Sequence, residues 1–76
     1  MELVDFIEKF AEQFEDTEMS EFAADTVFKD LDEWSSLIVL SLIAMVDTEY
    51  NARVTAEDFR NTETIKDLFD LVKTRI

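Results

Sequence analysis

The chain contains no cysteine, histidine, glycine or proline, and only seven Lys and Arg stand against 19 Asp and Glu. Each absence removes a class of function. Without cysteine there is no disulfide framework, zinc–thiolate site or cysteine nucleophile. Without histidine there is no Ser-His or Cys-His pair and no imidazole base. Without glycine there is no glycine-rich loop to cradle a phosphate. The net charge of −12 opposes nucleic-acid binding, which needs cations to displace counterions. The longest uncharged run, Trp34 to Val46, falls short of the roughly 20 residues of a membrane-spanning helix. No Lys- or Arg-led apolar segment opens the chain, so no signal peptide is expected. A single acidic domain over 1–76 follows as the expectation: cytoplasmic, monomeric, non-catalytic, and without nucleic-acid or membrane partners.

What is present is apolar and aromatic. Apolar residues make up 47% of the chain, too much for disorder despite the charge, and seven Phe, one Trp and one Tyr can furnish a core. Missing Gly and Pro removes the strongest hairpin signals, so helices are the natural reading. Leu3, Phe6, Ile7, Phe10, Ala11 and Phe14 share one helical face, which predicts a first helix from Glu2 to Phe14. Glu15 to Glu33 reads as a long, acidic connection pinned by Phe22, Val27, Phe28 and Leu31, with a short helical turn at Thr26–Leu31 capped by Thr26. Ser35 and Ser36 are N-cap residues for a second helix, Leu37 to Tyr50. That helix is apolar almost all round, and some of Ile38, Val39 or Leu42 is expected on the surface. Thr55-Ala56-Glu57-Asp58 and Thr64-Ile65-Lys66-Asp67 read as capping boxes. They open a short helix to Arg60 and a last helix to Arg75. The expected fold is all-α: a small four-helix bundle with three longer helices and a short third one.

Charge is uneven. Residues 1–36 hold 12 acids against two bases, and residues 37–76 hold seven against five. So many carboxylates make close pairs unavoidable, and solvated faces are the ordinary outcome. An EF-hand at Asp30-Leu31-Asp32 is rejected, because the alternation fails at Trp34 and the sharp turn lacks Gly. A serine nucleophile at Ser35 or Ser36 has no histidine to activate it. A phosphate attached there would instead meet unpaired N–H groups and the positive end of the helix dipole.

Thr26-Val27-Phe28-Lys29-Asp30-Leu31, then Trp34-Ser35-Ser36-Leu37, then a helix ending Asp47-Thr48-Glu49-Tyr50, resembles the acyl carrier protein family over residues 26–72. The resemblance implies that Ser36 carries 4′-phosphopantetheine, attached from coenzyme A by a phosphopantetheinyl transferase. The prosthetic thiol would hold fatty-acyl, aminoacyl or polyketide intermediates as thioesters. Partners would be acyl-transfer and synthase enzymes with basic docking patches, met through Asp32, Glu33, Ser35, Leu37, Ile38, Asp47 and Glu49. Leu42, Ile43, Val46 and Phe69 would line any shelter for the acyl chain, or simply pack as core. The chain departs from the family pattern in three ways. Ser35 stands where Asp is usual, Ile38 and Ser41 occupy positions that are commonly acidic, and Trp34 adds a residue before the serine. The competing expectation is an unmodified acidic helical adaptor, or a nucleic-acid mimic occupying basic partner surfaces.

Overall fold

The computed structural model describes residues 1–76. It contains four α-helices and no strands: α1 (Leu3–Ala11), α2 (Ser36–Tyr50), α3 (Ala56–Arg60) and α4 (Ile65–Lys73). Helix α1 contacts both α2 and α4, and α3 lies against α2. No helix is long and apolar enough to cross a membrane.

The capping signals act where expected. Thr55 accepts from the Asp58 amide while the Asp58 carboxylate accepts from the Thr55 amide. Thr64 and Asp67 repeat that exchange at α4. Each box satisfies donors that a helix start leaves free, so α3 can form although it is only five residues long. Two helices end sooner than their periodicity suggests. After Ala11 the ladder tightens, with Gln13 and Phe14 donating to the Phe10 and Ala11 carbonyls. Phe14 nevertheless stays buried beside Phe10, at 5.7 Å between ring centres. Thr74 and Arg75 likewise form tight turns beyond α4, whose last residue is Lys73 rather than Arg75.

The 24 residues from Glu12 to Ser35 hold two single 3₁₀ turns, Met19–Glu21 and Phe28–Asp30. Thr26 does not cap the second turn. Its hydroxyl accepts from the Ala23 amide at 2.8 Å and donates to the Glu21 carbonyl at 2.9 Å, closing the preceding loop. Phe22 and Phe28 are buried and Leu31 half-buried, but Val27 is 38% exposed. Val27 serves through its backbone, which forms an isolated antiparallel bridge with Thr64. Phe28 donates to the Glu63 carbonyl, Ile65 to Thr26 and Lys66 to Ala24, so the connection is stitched to the start of α4.

The core is aromatic. Phe6 meets Phe69 at 5.5 Å, and Phe10 meets Phe22 and Phe28 at 6.2 and 5.9 Å. Six rings therefore join α1, the connection and α4, in stacked, tilted and edge-on pairs.

Candidate functional site

Ser35 adopts an extended backbone, φ −159° and ψ 170°, and its hydroxyl accepts from the Ile38 amide at 3.3 Å. It is the N-cap of α2. Ser36 is thereby the first residue of the helix, with an exposed side chain whose hydroxyl makes no hydrogen bond within the protein. The Val39 amide is the first to close the ladder, on the Ser35 carbonyl at 3.1 Å. The Ser36 and Leu37 amides have no partner, so free donors and the positive end of a 15-residue helix surround the Ser36 hydroxyl.

The outward strip of α2 is apolar. Leu37 is 72% and Leu40 62% exposed, and Ala44 and Asp47 continue the strip. Of Ile38, Val39 and Leu42, of which some was expected on the surface, only Val39 reaches it in part. Ile38 and Leu42 are buried in the core, at 9% and 0%, and Val39 is half-buried. Ile38 is thus unavailable as an exposed partner contact. Its Cβ lies on the side of the helix that Leu42, Met45 and Val46 also bury. Of the residues considered as liners of an acyl shelter, Leu42, Val46 and Phe69 are core, while Ile43 is half-buried and borders a surface groove.

The acids do not converge on Ser36. Asp32 is exposed just before the helix. Asp47 lies eleven residues along α2 from Ser36, about 16 Å at 1.5 Å per residue. Glu49 faces α1, across a crevice it shares with Asp5, Glu8 and Glu12. Glu33 is engaged internally. Its carboxylate accepts from the Asp16 amide at 2.8 Å, the Glu15 amide at 3.1 Å and the Thr17 hydroxyl at 2.6 Å. The Thr17 hydroxyl is the chief cause that holds its pKa below the usual carboxylate value; desolvation opposes it, and the amides of Asp16, Glu15 and Thr17 add to the lowering. Glu33 therefore fastens the end of α1 to the approach to α2, a structural role beside the docking role expected for it.

Beside Ser36 the structure opens a groove of about 440 Å³ between α2, α3 and the Phe28–Asp30 turn. Val39, Leu40 and Ile43 form one wall, and Trp34 and Phe59 form the floor. Trp34 sits 4.9 Å from the Phe28 ring and 6.0 Å from Phe59, which makes it a core anchor with one face in the groove. Lys29 and Arg60 stand at the rim. The Lys29 ammonium donates to the Arg60 carbonyl at 3.0 Å, and neither side chain is in an ion pair. Sequence reasoning missed this basic edge. Its one visible signal was Lys29, the lone base in the acidic connection; Arg60, 31 residues away, joins it only through the fold.

The exposed hydroxyl, the free amides and the open groove fit a phosphate-linked arm on Ser36. In comparisons with known proteins, no family model matches the chain and no curated protein matches it.

Proposed function

We propose that the chain is an acyl-carrier-type domain whose Ser36 hydroxyl receives 4′-phosphopantetheine from coenzyme A through a phosphopantetheinyl transferase. The observation that carries this reading is the division of labour at the start of α2. Ser35 spends its hydroxyl on the cap, leaving the neighbouring Ser36 hydroxyl exposed and unbonded where a phosphate is electrostatically favoured. The four-helix arrangement, with a short third helix against the second, is compatible with the same reading. When bound, the arm supplies a terminal thiol on which an acyl group is held as a thioester. The chain itself supplies the anchor and the surroundings. The Ser36 oxygen would attack the pantetheine-bearing phosphate of coenzyme A, the pyrophosphate bond would break with adenosine 3′,5′-bisphosphate leaving, and the serine proton would pass to the transferase, since the chain has no histidine. The unpaired Ser36 and Leu37 amides would be available to the phosphate. Leu37 and Leu40 offer an apolar strip, with Asp32 at one end and Asp47 at the other. A partner enzyme with an apolar patch edged by basic residues complements that strip, and tethering raises the local concentration of substrate at its active site.

Intact mass after incubation with coenzyme A and a broad-specificity transferase tests the proposal. The expected result is one phosphopantetheine adduct, retained in Ser35→Ala and absent in Ser36→Ala. An adduct lost only in Ser35→Ala moves the attachment by one residue. No adduct with several transferases overturns the carrier reading in favour of the acidic adaptor or nucleic-acid mimic.

A further inference from the structure

Val4 and Met19 are 61% and 50% exposed, two large apolar side chains left to water away from α2. They belong to one groove of about 600 Å³. Val4, Ile7 and Ala11 of α1 form one wall, and Met19 and Phe22 of the connection form the other. No residue of α2, α3 or α4 contributes, so this face is separate from Ser36 and from the Leu37–Leu40 strip. The charged residues of its lining are Glu8 and Glu12 alone, one helical turn apart, about 6 Å. Lys9, the one base before Lys29, lines the crevice toward α2 instead and stands 5.9 Å from the Tyr50 ring. The groove beside Ser36 is apolar too, but its rim carries Lys29 and Arg60. Two apolar grooves of one chain thus have rims of opposite sign.

We propose that the groove between α1 and the Met19–Glu21 turn docks an amphipathic helix of a partner protein, with its apolar side chains on Val4, Ile7, Ala11 and Met19 and a pair of Lys or Arg, one turn apart, on Glu8 and Glu12. The sign of the rim selects the partner's charge, and the basic rim of the other groove turns the same partner away. The walls select its conformation. They are side chains of a helix and a 3₁₀ turn, with no strand edge to pair with an extended peptide. The one uncharged polar group of the lining, the Thr17 hydroxyl, already donates to Glu33 at 2.6 Å. An extended segment would bring unpaired N–H and C=O groups against the apolar walls, whereas a helix satisfies its own. The nine residues of α1 run about 14 Å, so two to three turns of a partner helix lie along it. A second copy of this chain is disfavoured. A two-fold contact would set two Glu8–Glu12 rims together, between bodies that each carry −12. An anionic membrane surface is repelled by the same charge.

Fluorescence anisotropy of labelled peptides tests the proposal at about 0.15 M NaCl, where a Debye length of about 8 Å leaves mainly contact pairs. The probe is an amphipathic Leu–Lys helix of about 15 residues. Its controls are a scramble of the same composition without an apolar face, and the Leu–Glu counterpart. The amphipathic Leu–Lys peptide is expected to bind at least about tenfold more tightly than its scramble, and the Leu–Glu peptide should not bind. Val4→Gln/Met19→Gln should weaken the Leu–Lys peptide about tenfold. Glu8→Gln/Glu12→Gln should weaken it at least about threefold more than Glu57→Gln/Glu63→Gln, which removes the same charge elsewhere. All six positions are exposed, and an unaltered helical circular-dichroism spectrum verifies folding of each variant. Equal affinity for the peptide and its scramble, or equal losses in the two charge variants, would reduce the binding to net charge and overturn the proposal. Loss in Leu37→Gln/Leu40→Gln but not in Val4→Gln/Met19→Gln would place the peptide on α2 and overturn it too. So would a dimer of the chain alone, seen in sedimentation, that Val4→Gln/Met19→Gln dissolves. The proposal does not rest on the carrier reading, and peptide binding and phosphopantetheine adducts are read on separate samples, so either can fail alone.

Discussion

Glu33 shows how a single carboxylate can be structural while sitting in a run of acids. Its two oxygens collect the Glu15 and Asp16 amides and the Thr17 hydroxyl, three donors in the loop that follows α1. Asp58 works similarly. It closes the Thr55 capping box and receives both terminal nitrogens of Arg75, at 2.6 and 3.1 Å, and Arg75 also reaches the Arg53 carbonyl. The Arg75 hydrogen bond is the chief cause of the lowered Asp58 pKa, and the Thr64 and Glu63 amides are the chief causes for Asp67. In all three the folded-state value lies below the unfolded one. Their stabilisation is therefore complete above the ordinary carboxylate range and fades as pH falls through the lowered folded values. Glu33→Gln should lower the midpoint of urea unfolding at about pH 7, and the gap to the parent protein should close toward about pH 3. An equal gap at both pH values would show that the carboxylate's charge is immaterial.

At the scale of the element, α2 ends on Asn51, the one residue with positive φ, at φ 53° and ψ 40°. A chain without glycine must use another residue for a left-handed cap, and Asn tolerates that region best. Its amide donates to the Asp47 carbonyl at 3.0 Å, which satisfies one of the free acceptors of the helix end. Asn51→Val should cost about 1–2 kcal/mol in urea unfolding with an unchanged slope, whereas Asn51→Gly should not destabilise. Equal costs for the two variants would show that the left-handed backbone is not what Asn51 provides. Signals that act within one turn were legible in the sequence: the Thr55 and Thr64 capping boxes, the serine pair before α2, and the faces of α1 and α4. The facing of α2 was harder. Apolar residues occupy nearly every side of it, so periodicity carries little direction, and only packing against α1 and α3 decides that Ile38 and Leu42 go in while Leu37 and Leu40 stay out. Glu33 meeting Thr17 and Lys29 meeting Arg60 are separated by 16 and 31 residues. No local pattern encodes such pairs, and the basic rim of the groove was invisible for that reason.

The whole molecule confines a net charge of −12 within 29 × 24 × 20 Å. Attraction offsets little of it. Lys66–Asp70 and Arg75–Asp58 are the two ion pairs, and the first is more than half exposed on both sides. Exposed pairs of this kind contribute a median of about 0–1 kcal/mol. Repulsion among the remaining acids acts over most of the surface and is concentrated in residues 1–36, where acids outnumber bases 12 to two. Added salt weakens both effects, and the imbalance in number decides the sign: screening removes more repulsion than attraction. At about 0.1 M the Debye length is about 10 Å, less than half the long axis, so charges on opposite sides cease to interact. The melting temperature should therefore rise with NaCl, with most of the gain below about 0.15 M and a plateau beyond. Glu12→Lys, at an exposed position of the acidic half, should raise the melting temperature at low salt and flatten its salt dependence. A melting temperature that falls with salt would mean that the few ion pairs outweigh the charge excess, and a flat response would mean that the acids are spaced widely enough for water alone to insulate them.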